Sequence, residues 1–115
     1  MREPIRDKGR LEHIIHYSEN VEEMTKDITF DDFKKDKIRY FAVMKNIEIV
    51  GEAAYMLSKE FIIMHPKLPW QQIIGMRHVL VHGYVTVSPL TLWKTAINDI
   101  PSLKRQVLTY LDQME

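Results

Sequence analysis

The chain has 115 residues and 13.7 kDa, one domain's worth, with 45% hydrophobic and 28% charged residues, so wholesale disorder is excluded. Sixteen basic residues balance sixteen acidic ones, and bulk charge therefore does not announce a nucleic-acid binder. The absence of cysteine excludes a disulfide scaffold, a thiolate metal site and a cysteine nucleophile. The opening MREPIRDKGRLEHII is charged and has no apolar core of a secretory signal, and no apolar run is long enough to span a bilayer. The expectation is a soluble, cytoplasmic protein.

Taken in chain order, Leu11, Ile14, Ile15, Ser18 and Val21 recur at helical spacing and predict a first helix from about Arg6 to Lys26. The polar segment Asp27–Asp36 reads as a short turn holding Phe30 and Phe33, with Thr29 or Asp31 as its cap. A second helix is expected from Lys37 to Met64. It is apolar around much of its circumference, with Phe41, Met44, Ile47, Ala54, Leu57 and Phe61, and so should be central and most buried.

Pro66 and Pro69 bracket a tight connection. Trp70 to His82 then reads as a third helix with Ile73, Ile74 and Val81 facing a core, and Gly83 as a left-handed C-terminal cap. Ser88-Pro89 is a cap followed by proline at the first helical position. From there Trp93, Ile97, Ile100, Leu103, Val107, Leu111 and Met114 step by three and four to the end, and Pro101 should kink or split that run. The expected architecture is a single all-α domain over residues 1–115, an antiparallel four-helix up-down bundle with a kinked C-terminal helix.

Charge distribution singles out one region. From Phe61 to Asn98, 38 residues contain no Asp or Glu, whereas Lys67, Arg77, Lys94, His65, His78 and His82 lie there. Either a buried helix leaves little room for charge, or an anionic ligand approaches this surface. Within it, Arg77 supplies a permanently charged fork that matches a phosphate, and His82 exchanges a proton near neutral pH. Five residues along a helix is about 500°, so the two converge only if Arg77 reaches round a helix that ends near Gly83. A histidine at a helix C-terminus is also stabilised there simply by the dipole. His78 and His82 stand at i and i+4, a spacing that admits a metal pair, but no third ligand is evident and no metal is expected.

Glu52 sits between Gly51 and Ala53-Ala54 in the most apolar part of the second helix, where an unpaired carboxylate is costly. The small neighbours predict close helix packing, with Arg77 as the partner of a buried ion pair that also orients the arginine. The cluster Lys34, Lys35, Lys37 and Arg39 is a solvated helix start or an RNA-backbone contact. The seven methionines read as core filler.

Arg77, four residues, His82, Gly83 and Tyr84 resemble the R-x4-H-x-Y signature of the HepT-like toxins of the HEPN superfamily. The order of other segments is similar too: Asp7 with Arg10-Leu11 and Ile14, the Ile49–Ala54 block, Pro69-Trp70 to Arg77, and Trp93 through Leu103. Many members carry Asn after the arginine where this chain has His78, a polar residue that the broader superfamily accepts. The resemblance implies a metal-independent endoribonuclease toxin without a cofactor, acting as a homodimer with its motifs near the subunit interface. Arg77 and His82 would be its catalytic residues, supported by His78 and Glu52. It also implies a nucleotidyltransferase antitoxin of the MNT type that modifies Tyr84 with AMP. Two other readings stand beside this one: a non-catalytic module binding a nucleotidyltransferase or a nucleotide, and a dimeric structural bundle with a decayed site.

Overall fold

The computed structural model describes residues 4–83 and 86–114, with side chains from Arg6 onward. Among these residues there are helices and connections but no strand. The helices are α1 (Pro4–Thr25), α2 (Phe30–Lys35), α3 (Lys37–Tyr55), α4 (Lys59–Met64), α5 (Trp70–His82), α6 (Pro89–Lys94) and α7 (Ile100–Gln113). A π-helical turn, Thr95–Asp99, joins α6 to α7.

Local chemistry sets most of these ends. After α1 the chain reverses through Asp27, whose φ of 61° is a left-handed conformation that Asp tolerates. Thr29 then caps α2 in a reciprocal box: its hydroxyl accepts from the Asp32 N–H while the Asp32 carboxylate accepts from the Thr29 N–H, both at 3.1 Å. Those hydrogen bonds hold the Asp32 carboxyl below its ordinary range. Asp36 caps α3 by accepting from the Arg39 N–H at 3.0 Å, and that bond lowers its pKa in turn. The Arg39 guanidinium also donates to the Met24 carbonyl, tying the start of α3 to the end of α1. Within the basic cluster, then, Arg39 serves the fold, and Lys34 pairs with Asp31 while lying over the Phe30 ring.

The expected second helix is two helices. α3 stops at Tyr55, the backbone turns extended at Ser58, and α4 begins with the Ser58 hydroxyl accepting from the Phe61 N–H at 3.1 Å. The break is held from elsewhere. Buried Asp7 of α1 accepts from the Ser58 N–H at 2.8 Å and from the Ser58 hydroxyl at 2.6 Å. A carboxylate that takes two donors at one residue fixes that residue outside the helical ladder. The C-terminal run behaves as proline predicts: Pro101 has no N–H, and the π-helical turn ends two residues before it.

α3 packs against α1 on one side and α5 on the other, and α1 also meets α7. The core comprises Leu11, Ile14 and Val21 of α1, Val43, Ile47 and Val50 of α3, and Leu92, Ile100, Leu103 and Val107 from the C-terminal run. Phe41 is half exposed, as is Tyr55, so α3 is buried on two faces but not all round. On α5 the buried residues are Trp70 and Leu80; Val81, expected in the core, is exposed. No helix of the described residues is long and apolar enough to cross a membrane.

Candidate functional site

The motif occupies the last turns of α5, and its position is set by the crossing of α5 over α3. Gly51 is what permits it. A Cβ added there would lie 2.5 Å from the Arg77 Cβ, 3.1 Å from the Ile73 carbonyl oxygen and 3.3 Å from the Arg77 Cα. Only a residue without a side chain lets the two backbones approach so closely.

At this crossing the Arg77 side chain turns toward α3. Its Nε donates to the Glu52 carboxylate, and its Cζ lies 4.7 Å from the centre of the Tyr55 ring. Glu52 fixes one edge of the guanidinium and Tyr55 supports its face. The Arg77–Glu52 pair expected from the sequence is therefore present, but it is not buried: the Glu52 side chain is 49% exposed and that of Arg77 23%. Tyr55, which sequence reasoning did not single out, stands three residues after Glu52, on the same face of α3. That spacing was the available signal. The acid-free stretch is consequently not acid-free in space, because Glu52 reaches it from another helix.

His82 is the last residue of α5 and is exposed, as is His78 one turn before it. Their rings lie 4.6 Å apart between centroids at an angle of 51°. Among the described residues no hydrogen bond or ring contact joins Arg77 to either histidine, and no group of three or more His, Asp or Glu is placed to hold a metal ion. Arg77 and His82 emerge about 140° apart around the helix axis. One chain thus holds an anchored cation on one flank of α5 and a histidine pair on another.

Gly83 closes the helix differently from expectation. Its φ of −144° and ψ of 38° are not left-handed, and its N–H donates to the Val79 carbonyl at 2.7 Å. The Gly83 carbonyl in turn accepts from both the N–H and the hydroxyl of Thr86. Tyr84, the residue expected to carry a modification, lies outside the described residues.

The Ribonuclease HepT-like family model matches residues 14–109. A protein of Thermococcus cleftensis named probable ribonuclease HepT is 44% identical over 97 residues, covering 84% of this chain and 88% of that one. A protein of Caldanaerobacter subterraneus subsp. tengcongensis, named a putative RNase, is 42% identical over 103 residues, covering 90% and 92%. A similarly named protein of Methanocaldococcus jannaschii is 34% identical over 100 residues, covering 87% and 92%. No solved structure matches significantly. With a family match across the motif-bearing helix and relatives aligned over most of both chains, this chain belongs to the HepT-like ribonuclease family.

Proposed function

We propose that the chain is an endoribonuclease that cleaves RNA through its own 2′-hydroxyl, with Arg77 and His82 as catalytic residues and no metal required. Family membership and relatives named as ribonucleases support the substrate class. The observation that carries the reading is the anchoring of Arg77: Glu52 takes its Nε and Tyr55 backs its plane, so the guanidinium is held in one orientation. An oriented guanidinium binds a scissile phosphate and stabilises the charge that develops on it. His82, exposed at the helix end with His78 beside it, takes the proton of the 2′-hydroxyl as its oxygen attacks phosphorus. A 2′,3′-cyclic phosphate forms, the P–O5′ bond breaks, and the histidine pair returns the proton to the departing 5′-oxygen.

The 140° separation favours a site built from two copies. α5 presents an exposed strip without a permanent charge, Gln71, Gly75, His78, Val79 and His82. A Cβ at Gly75 would meet nothing within 4 Å in one chain. Glycine inside a helix costs about 1 kcal/mol relative to alanine, and close approach by a second α5 offsets that cost. The reading is a homodimer in which the arginine of one chain and the histidine of its partner face a shared phosphate, on an all-helical frame. Pairing with a nucleotidyltransferase antitoxin that adds AMP to Tyr84 belongs to the same reading. An anionic phosphate two residues from His82 repels RNA and blocks its approach.

The test is cleavage of a mixed RNA by the purified protein in EDTA. Wild type should cut, and Arg77→Ala and His82→Ala should not, with unchanged helical circular dichroism. Cleavage that survives both substitutions overturns the assignment. No cleavage by the wild-type protein overturns the activity itself, and the non-catalytic module, docking a nucleotidyltransferase through the same helix end, then becomes the better reading.

A further inference from the structure

Two concavities of the chain are lined by neither Arg77 nor His82. A cleft of ≈330 Å³ opens between α5 and the α6–α7 run, walled by Leu68, Ile73, Met76 and Ile100. A second hollow of ≈360 Å³ continues it, sharing Gln72, Met76 and Thr91 and reaching Thr86 and Ser88, just beyond His82. The π-helical turn forms one wall, contributing Thr95 and Asp99; such turns concentrate at functional sites. The polar groups are few. Asp99 is exposed, neither its carboxylate nor the Gln72 amide has a partner among the described residues, and Ser102 adds a hydroxyl. Asp99 is also the first acid after the 38-residue gap, so the cleft carries one carboxylate in an otherwise acid-free surround.

That combination defines a ligand chemistry. Apolar walls, a thioether among them, accept the faces of a flat ring, and the volume lies within the range of small-molecule sites. A carboxylate accepts two parallel hydrogen bonds and rejects a neighbouring lone pair. Of the RNA bases, guanine alone sets two donors side by side on its pairing edge, N1–H and the 2-amino group. Adenine and cytosine set a ring acceptor beside their amine, and uracil flanks its single N–H with two carbonyls. Guanine's O6 requires a donor, which the Gln72 amide supplies.

We propose that this cleft is a specificity subsite that reads an unpaired guanine of the RNA, Asp99 accepting from its N1–H and 2-amino group and Gln72 donating to O6. This rests on the ribonuclease reading above for the identity of the larger ligand. Gln72 lies ten residues before His82, about 15 Å along the helix, so the guanine sits a few nucleotides from the scissile bond.

Guanosine itself is the probe, because without a phosphodiester it tests the cleft independently of cleavage. Backbone amides of Thr95–Asp99 and Gln72 are followed by NMR during titration with guanosine, inosine and adenosine. Guanosine should shift these amides saturably. Inosine, which lacks the 2-amino group, should bind about tenfold more weakly, and so should guanosine to Asp99→Asn. His82→Ala should leave the titration unchanged. No shift with guanosine, or equal shifts with guanosine and adenosine, overturns the proposal even if the protein cuts RNA. Conversely, selective guanosine binding upholds the subsite even in a protein found to cut nothing. In an active preparation, Asp99→Asn should lose a preference for guanine at one fixed offset from the cut.

Discussion

Gly51 and Arg77 face each other across the α3–α5 crossing so closely that a Cβ on Gly51 would stand 2.5 Å from the Arg77 Cβ. The atoms it meets are the root of the arginine and the backbone of Ile73, not the free end of a flexible side chain. Gly51→Ala should therefore separate the helices and cost about 1–3 kcal/mol, an overpacking penalty. Arg77 would move with α5, so RNA cleavage should fall more than stability alone explains. Thermal unfolding and cleavage rate, measured on the same preparation, check both.

Tyr55 and Glu52 should be separable by kinetics. Tyr55→Phe keeps a ring under the guanidinium and should leave cleavage within about twofold, whereas Tyr55→Ala removes the support and should lower kcat about tenfold. Glu52→Gln keeps a hydrogen-bond acceptor and should be milder than Glu52→Ala. Because both side chains are half exposed, neither change should lower Tm by more than a few degrees.

Gly75 should tolerate a side chain within one chain and resist it between two. Gly75→Ala should raise helix stability slightly in an isolated protomer, and Gly75→Arg should leave the protomer folded while splitting the dimer. Light scattering at micromolar concentration reads the result. A wild-type monomer sinks the shared-site geometry.

The Asp7–Ser58 contact should be among the costlier polar contacts to lose. Asp7→Ala strands a buried N–H and a buried hydroxyl and should destabilise by about 2–3 kcal/mol, with α4 loosening first. Tyr110 offers the opposite case. Its buried hydroxyl has no hydrogen-bond partner among the described residues, and burial pushes its pKa up. Tyr110→Phe should stabilise by about 1 kcal/mol in chemical denaturation.

Lys104 of α7 holds Glu22 at 2.7 Å and Glu19 at 3.7 Å, clasping α7 to α1. The hydrogen bond to Glu22 raises its pKa above the ordinary lysine value. A folded pKa above the unfolded one means that the clasp's contribution is complete below about pH 10 and is lost as pH rises through the raised value. Lys104→Met should flatten that alkaline loss of stability and cost about 1 kcal/mol near neutrality.

The chain's own order of residues determined the features whose causes lie within a few positions. Thr29 starts α2, Ser88-Pro89 starts α6, and α5 runs from Trp70 to His82, because caps and prolines act on the adjacent turn. The spacing of Arg77, His82 and Tyr84 is equally local and carried the family resemblance. Whatever depended on a partner far along the chain was not legible. Ser58 breaks the long apolar run because Asp7, 51 residues away, binds it, and the periodicity of residues 37–64 contains no trace of that carboxylate. Trp70 opens α5 and is buried beside Phe61 of α4, a contact that its position in the sequence does not announce. Arg77 lies on the face of α5 that meets α3, and only there do Glu52 and Tyr55 select its direction. Helix ends answer to neighbours in sequence, but the aim of a charged side chain is decided by what the packed helices bring beside it.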